Sequence, residues 1–144
     1  MRFPFSGQPP ILTTRFGREP AAAGAARALV RDALTARQVG PETIQDMLVV
    51  VSELVTNAIR HAPSPYELRL YAATGLLGCE VIDSAATPMA FPSSWTTGEQ
   101  ASCQAWTEYG RGLALVVALT LGRCGCQLTE DRAGKTVWCL LDRT

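Results

Sequence analysis

Neither sign of charge is in excess in this chain: 13 Lys and Arg balance 13 Asp and Glu. A polyanion binder needs a basic face, so the balance gives no case for direct contact with nucleic acid. No apolar run approaches the length that spans a bilayer, and the start, Met1-Arg-Phe-Pro-Phe-Ser-Gly-Gln-Pro-Pro10, lacks the apolar core of a secretory signal. A membrane role is therefore not expected, and a cytoplasmic location is. Histidine occurs once, at His61, which rules out chemistry that needs two imidazoles. The 5 cysteines are an odd number, and only Cys124 and Cys126 lie close together, as C-x-C rather than in the paired spacing of a zinc site. Reduced thiols packed as small apolar groups are expected. No serine stands in G-x-S-x-G, which argues against nucleophilic hydrolysis of that type. Lys135 follows Gly134, yet the residues before it, Thr129-Glu-Asp-Arg-Ala133, do not make a P-loop. Internal repeats and low-complexity tracts are also missing.

What is present fits one domain, residues 1–144, with an ordinary hydrophobic share of 47% and a charged share of 18%. Residues 11–16, Ile-Leu-Thr-Thr-Arg-Phe, read as a first strand. From Ala21 to about Arg37, Ala22, Ala26, Leu29, Val30, Ala33 and Leu34 recur at helical spacing, leaving Arg27, Arg31 and Arg37 for the wet side. Gly40-Pro41 separates this helix from a second, about Glu42 to His61, whose stripe runs through Ile44, Leu48, Val51, Val55, Ala58 and Ala62. Pro63 and Pro65 stop it. Tyr66 to Ala73 alternates with a period of two, and Gly75 turns the chain into a strand from Gly78 to Asp83. Periodicity then disappears, so a lid segment is expected at about 84–111. A compact helix from Leu113 to Leu121 and two strands, near Gly125 to Glu130 and Thr136 to Leu141, complete the chain. This order predicts an α+β protein, a two-layer α/β sandwich with helices on one face of a mostly antiparallel mixed sheet.

Glu53, Asn57 and His61 are spaced i, i+4, i+8 and share one side of the second helix, beside its apolar stripe. Any one of them alone fits a solvated helix edge. Asn is a mediocre residue for a helix interior, however, and an amide oxygen is a suitable ligand for a hard cation such as Mg²⁺. Gly110-Arg111-Gly112-Leu113 stands where a loop becomes a helix, where backbone N–H groups and the helix dipole favour an anion. A plain turn suits the same residues equally well. Asp83, at a strand end, can accept a hydrogen bond from a ligand amino group or simply form a turn.

Taken in order, these pieces resemble the ATP-binding domain shared by gyrase, MutL and the sensor histidine kinases, and most closely the small anti-sigma-factor serine kinases. Glu53-Leu-Val-Thr-Asn57-Ala-Ile-Arg-His61-Ala62 resembles the N box, E-L-x-x-N-A-x-x-H. Val81-Ile-Asp83 resembles the start of the first glycine box, Gly110-Arg-Gly112-Leu113 the second, and Gly134-Lys-Thr136-Val-Trp138 the final G-x-T segment. The resemblance implies a Bergerat-type fold, with ATP and Mg²⁺ as cofactors. It implies that Asn57 holds Mg²⁺ against the phosphates and that Glu53 is the general base. Asp83 would bind the adenine amino group, helped by Thr136 through water. Arg60 and His61 would lie near the phosphates or the metal, and Gly110, Arg111, Gly112 and Leu113 would line the phosphate side. The implied partners are a sigma factor and an antagonist protein phosphorylated on serine or threonine, and relatives of this kind suggest a homodimer. The first glycine box departs from the pattern: Ser84-Ala85-Ala86-Thr87-Pro88 follows Asp83 with no glycine, which points to weak ATP affinity. A non-catalytic module in which nucleotide sets a partner surface is the alternative function.

Overall fold

The computed structural model describes residues 2–85, 111–129, 131 and 133–143. Its elements, in chain order, are β1 (Leu12–Phe16), α1 (Ala22–Ala36), α2 (Pro41–His61), β2 (Tyr66–Ala73), β3 (Leu76–Asp83), α3 (Arg111–Thr120), β4 (Cys124–Leu128) and β5 (Lys135–Asp142). Of the lid expected at about 84–111, residues 86–110 lie outside the described residues.

The strands form one sheet in the order β1-β2-β3-β5-β4. Each of its neighbouring pairs is antiparallel, in keeping with the mostly antiparallel sheet expected from sequence. In the β3–β5 register, Cys79 faces Cys139, Val81 faces Val137 and Asp83 faces Lys135 on one surface. Gly78 with Leu140, Glu80 with Trp138 and Ile82 with Thr136 point to the other, because successive side chains alternate across a strand.

The inner surface carries the main core, built on Val30 and Leu34 of α1, Val50, Val51, Leu54 and Val55 of α2, and Leu113 and Val116 of α3. Helix α2 begins with Pro41 at its first turn, where a missing N–H costs nothing. Glu42 sits at its positive end, and Arg60 and His61 sit at its negative end. α1 departs from the sequence expectation at two residues. Arg27, expected on the wet side, is part-buried and donates from Nη1 to Ser52 Oγ at 3.0 Å, tying α1 to α2. Leu29, expected inside, is 42% exposed. Leu115 and Leu121 of the α3 region are exposed as well. No helix among the described residues is long and apolar enough to cross a membrane.

The outer surface is also covered. Phe3 and Phe5 are each 3% exposed and pack with Tyr71, Trp138 and Leu140. Phe5 stacks on the Tyr71 ring at 5.2 Å, and Phe3 lies 5.5 Å from Trp138. This cover explains why Lys135–Leu141 of β5 is buried on both faces. Phe3 and Phe5 therefore hold part of the structure, although the sequence around them shows no periodicity. Gly78 makes the cover possible, since a Cβ there would lie 2.6 Å from Phe5 Cδ2. Gly78→Ala is expected to overpack this layer and cost about 1–3 kcal/mol, read as a lower urea midpoint at unchanged slope.

Beside the aromatic layer, Glu80 closes a polar network. Its Oε1 accepts from the Tyr71 hydroxyl at 2.6 Å and its Oε2 from the Thr136 hydroxyl at 3.0 Å. Burial, and then the bond to Glu80, push the Tyr71 phenol above its ordinary range. The four described cysteines, Cys79, Cys124, Cys126 and Cys139, are free thiols, as expected. Burial holds the Cys79 thiol well above its usual range.

Candidate functional site

Helix α2 carries its polar stripe out of the core toward solvent. Glu53 is part-buried, Asn57 is 7% exposed, and Arg60 and His61 are exposed in the last turn. The helical repeat explains the placement: Leu54, Val55 and Ala58 face the core, and the positions just beside them stand at its rim. Among the described residues the Asn57 side chain has no hydrogen-bond partner, and a buried amide without one is costly. That orphaned amide oxygen fits a hard cation. Among the described residues no group of three or more His, Cys, Asp or Glu is placed to hold a metal, so the ion's other ligands would have to be phosphate oxygens and water.

Two segments far apart in sequence meet at Glu53. A Cβ added at Gly112 would overlap the Glu53 carboxylate, so glycine is what lets the acid lie against the backbone of the first turn of α3. That turn carries N–H groups with no partner inside the helix, and its positive end favours an anion. The sequence-predicted Gly112 and Leu113 are both there, and Leu113 also buries its side chain in the core. Arg111 begins α3, while Gly110 lies outside the described residues. Packing of α3 against α2 holds the turn in place.

Asp83 and Thr136, expected from the resemblance to meet the adenine together, do not share a face of the sheet. Asp83 Oδ2 accepts from Lys135 Nζ at 2.6 Å, and Asp83 Oδ1 accepts from the Ala85 N–H at 2.8 Å. The side chains of Lys135 and Asp83 are 1% and 2% exposed. Thr136, read from sequence as the companion of Asp83, points to the opposite surface of the sheet, where it donates to Glu80. Residue parity along β5 forces this: if Lys135 shares a face with Asp83, Thr136 cannot. The correction is physical and local. The residue beside the Asp83 carboxylate is Lys135, the unspecified middle position of the G-x-T segment, to which the sequence assigns no role of its own.

Alternation could not have found Lys135. The run from Lys135 to Leu141 is buried on both parities, because helices cover one face of β5 and Phe3 and Phe5 cover the other, so no polar-apolar alternation marks which face the lysine takes. Gly134 is the one local sign, since a Cβ there would overlap the Asp83 carbonyl oxygen. Ser84 closes the same corner, its hydroxyl donating to the Pro63 and Pro65 carbonyls at 3.3 and 3.2 Å.

Comparison with solved structures places the architecture. A chain of the SiaB–SiaC complex from Pseudomonas aeruginosa superposes with a TM-score of 0.71 at 12% identity, over 95% of this chain and 94% of that one. The RsbU and RsbW domains of Rv1364c from Mycobacterium tuberculosis give 0.60 at 18% identity, over 92% of this chain but only 32% of that longer one. At such identities the likeness is one of fold. No curated protein matches the chain in sequence. The model of the histidine kinase-like ATPase domain, by contrast, matches residues 16–139, which takes in α2, the first turn of α3 and the Asp83–Lys135 corner together. With its acid and amide on one helix facing a glycine-bearing helix start over an antiparallel sheet, this chain belongs to the histidine kinase-like ATPase domain family.

Proposed function

We propose that the protein is a cytoplasmic regulatory kinase of the anti-sigma-factor type, which binds Mg-ATP, transfers its γ-phosphate to a serine or threonine of an antagonist protein, and exchanges that partner with a sigma factor. The observation that carries the reading is the meeting of Glu53 with Gly112 beside the Asn57 amide, which has no hydrogen-bond partner among the described residues. It supplies an acid, a metal-binding oxygen and an N–H-lined helix start within one small region. The fold neighbours support it as far as their names go: one is solved as a two-protein complex, and the other joins an RsbU to an RsbW domain.

In this reading the Asn57 amide oxygen would hold Mg²⁺, which when bound would supply charge neutralisation at the phosphate oxygens. The first turn of α3 receives the phosphates on its free N–H groups. Glu53 accepts the proton of the incoming hydroxyl as its oxygen bonds to the γ-phosphorus and the bond to the ADP oxygen breaks. Arg60 and His61, exposed at the end of the same stripe, would supply positive charge near the phosphates or the metal.

Titration of wild type and Asn57→Ala with Mg-ATP tests the metal assignment. The substitution is expected to weaken binding by about tenfold to a hundredfold, the loss of one charge-assisted contact. Chelation of Mg²⁺ should bring the two proteins together. Equal affinity with metal present would undo the role of Asn57.

A second reading, a non-catalytic module gated by nucleotide, draws on one specific observation: both oxygens of Asp83 are already engaged by Lys135 and Ala85. Substitution of Glu53 separates the two readings, because regulation in cells should survive it only if phosphate transfer is not needed.

A further inference from the structure

The nucleotide reading uses Glu53, Asn57 and Gly112 and leaves the buried pair Asp83–Lys135 without a role. We infer that Lys135 sets nucleobase discrimination in this protein: its ammonium occupies the carboxylate that a base amino group would need, so the site takes nucleoside triphosphates through their phosphates with little regard to the base. The inference rests on the proposed nucleotide site and deepens it.

The geometry leaves Asp83 little to offer a ligand. One oxygen accepts from Lys135 Nζ at 2.6 Å and the other from the Ala85 N–H at 2.8 Å. With the two side chains 1% and 2% exposed, the remaining lone pairs have no open face. An adenine amino group and a lysine ammonium are both N–H donors, but the ammonium carries a full charge and is tethered to the strand next door. A neutral amino group that displaced it would leave a buried cation without its counter-ion, which is unfavourable. The chain's own side chain therefore outcompetes the base for this acceptor.

The pairing belongs to the sheet rather than to one side-chain rotamer. Asp83 and Lys135 are directly opposite in the β3–β5 register, and the glycine at 134 lets the strand ends approach until a Cβ there would overlap the Asp83 carbonyl oxygen. Cys126 of β4 faces the same corner. Burial pushes its thiol up to about 12, with the Lys135 charge lowering it and the Asp83 charge raising it. Thr136 cannot substitute for Lys135, because its hydroxyl is on the other surface and committed to Glu80. On the phosphate side, among the described residues, neither the Asn57 side chain nor the Glu53 carboxylate has a hydrogen bond or ion pair that would stand in for a ligand there.

Calorimetric titration of the full chain with the Mg²⁺ complexes of ATP, GTP and inorganic tripolyphosphate, on wild type and on Lys135→Thr, tests this. Wild type is expected to bind ATP and GTP with affinities within about tenfold of each other, whereas a site that hydrogen-bonds the adenine amino group discriminates by far more. In Lys135→Thr, which frees Asp83, the preference for ATP over GTP should rise by about tenfold or more while tripolyphosphate affinity stays level. A wild-type preference for ATP beyond tenfold overturns the inference, and so does a folded variant whose ATP-to-GTP ratio is unchanged. If Lys135→Thr does not fold, the wild-type ratio decides alone. Failure of wild type to bind any of the three ligands overturns the nucleotide reading itself, an outcome distinct from strong ATP selectivity, which overturns only the role of Lys135.

Discussion

Glu53→Gln is expected to lower phosphoryl transfer to a serine-bearing antagonist by about 10²–10⁴-fold while Mg-ATP affinity changes little. Glutamine keeps the shape of the side chain and its fit against Gly112, where a Cβ would overlap the acid. It loses only the ability to accept the hydroxyl proton. Since Glu53 is part-buried at the helix rim and has no hydrogen bond or ion pair among the described residues, the exchange should leave stability within about 0.5 kcal/mol. Single-turnover transfer of labelled γ-phosphate, with calorimetry on the same preparation, separates the chemical step from binding. A variant that transfers phosphate at the wild-type rate would end the general-base assignment. One that fails to bind ATP would instead give the carboxylate a role in binding.

The second large effect concerns stability. Asp83→Ala leaves the Lys135 ammonium buried without its counter-ion, and truncating one partner of such a pair costs about 3–5 kcal/mol. The double variant Asp83→Ala/Lys135→Met should recover most of this, because a pair of apolar groups removes the desolvation penalty from both sites at once. Urea unfolding of the two single variants and the double variant forms a cycle that isolates the coupling. Were the double variant as unstable as Asp83→Ala alone, the ion pair would not be the source of the loss. The register makes a large coupling the expected result: the two residues are direct partners across β3 and β5, and both are at the strand ends where Ser84 and Gly134 close the corner.

The elements most legible in the sequence are those with strong local periodicity. The stripe of α2 and its stop at Pro63 follow from a 3.6-residue repeat and a missing N–H, and the structure ends the helix at His61. The alternation of Tyr66 to Ala73 gives β2 with the same bounds. Glu53 and Asn57 are legible as neighbours on one face because helical geometry alone sets their spacing. Leu29 and Arg27 depart from the helical pattern for a related reason: the repeat defines a stripe but not how far its edge reaches, and the docking of α2 decides that Arg27 meets Ser52 while Leu29 stays in water. The covering of the outer face by Phe3 and Phe5 left no periodic trace at all, since each ring is a single anchor in an irregular segment.

The sequence by itself determined the order of elements, the helix that presents acid and amide together, and the ordered motifs by which the chain resembles its family. All of these are properties of residues near one another along the chain. Only the tertiary structure decided that Gly112 lies against Glu53, that Asp83 pairs with Lys135, and that Thr136 turns away to Glu80. Those contacts join residues more than fifty positions apart, and their identity hangs on strand register. A shift of one residue would exchange the two faces of β5, and with helices packed on one side and Phe3 and Phe5 on the other, nothing in the local pattern of that strand specifies which face receives the lysine.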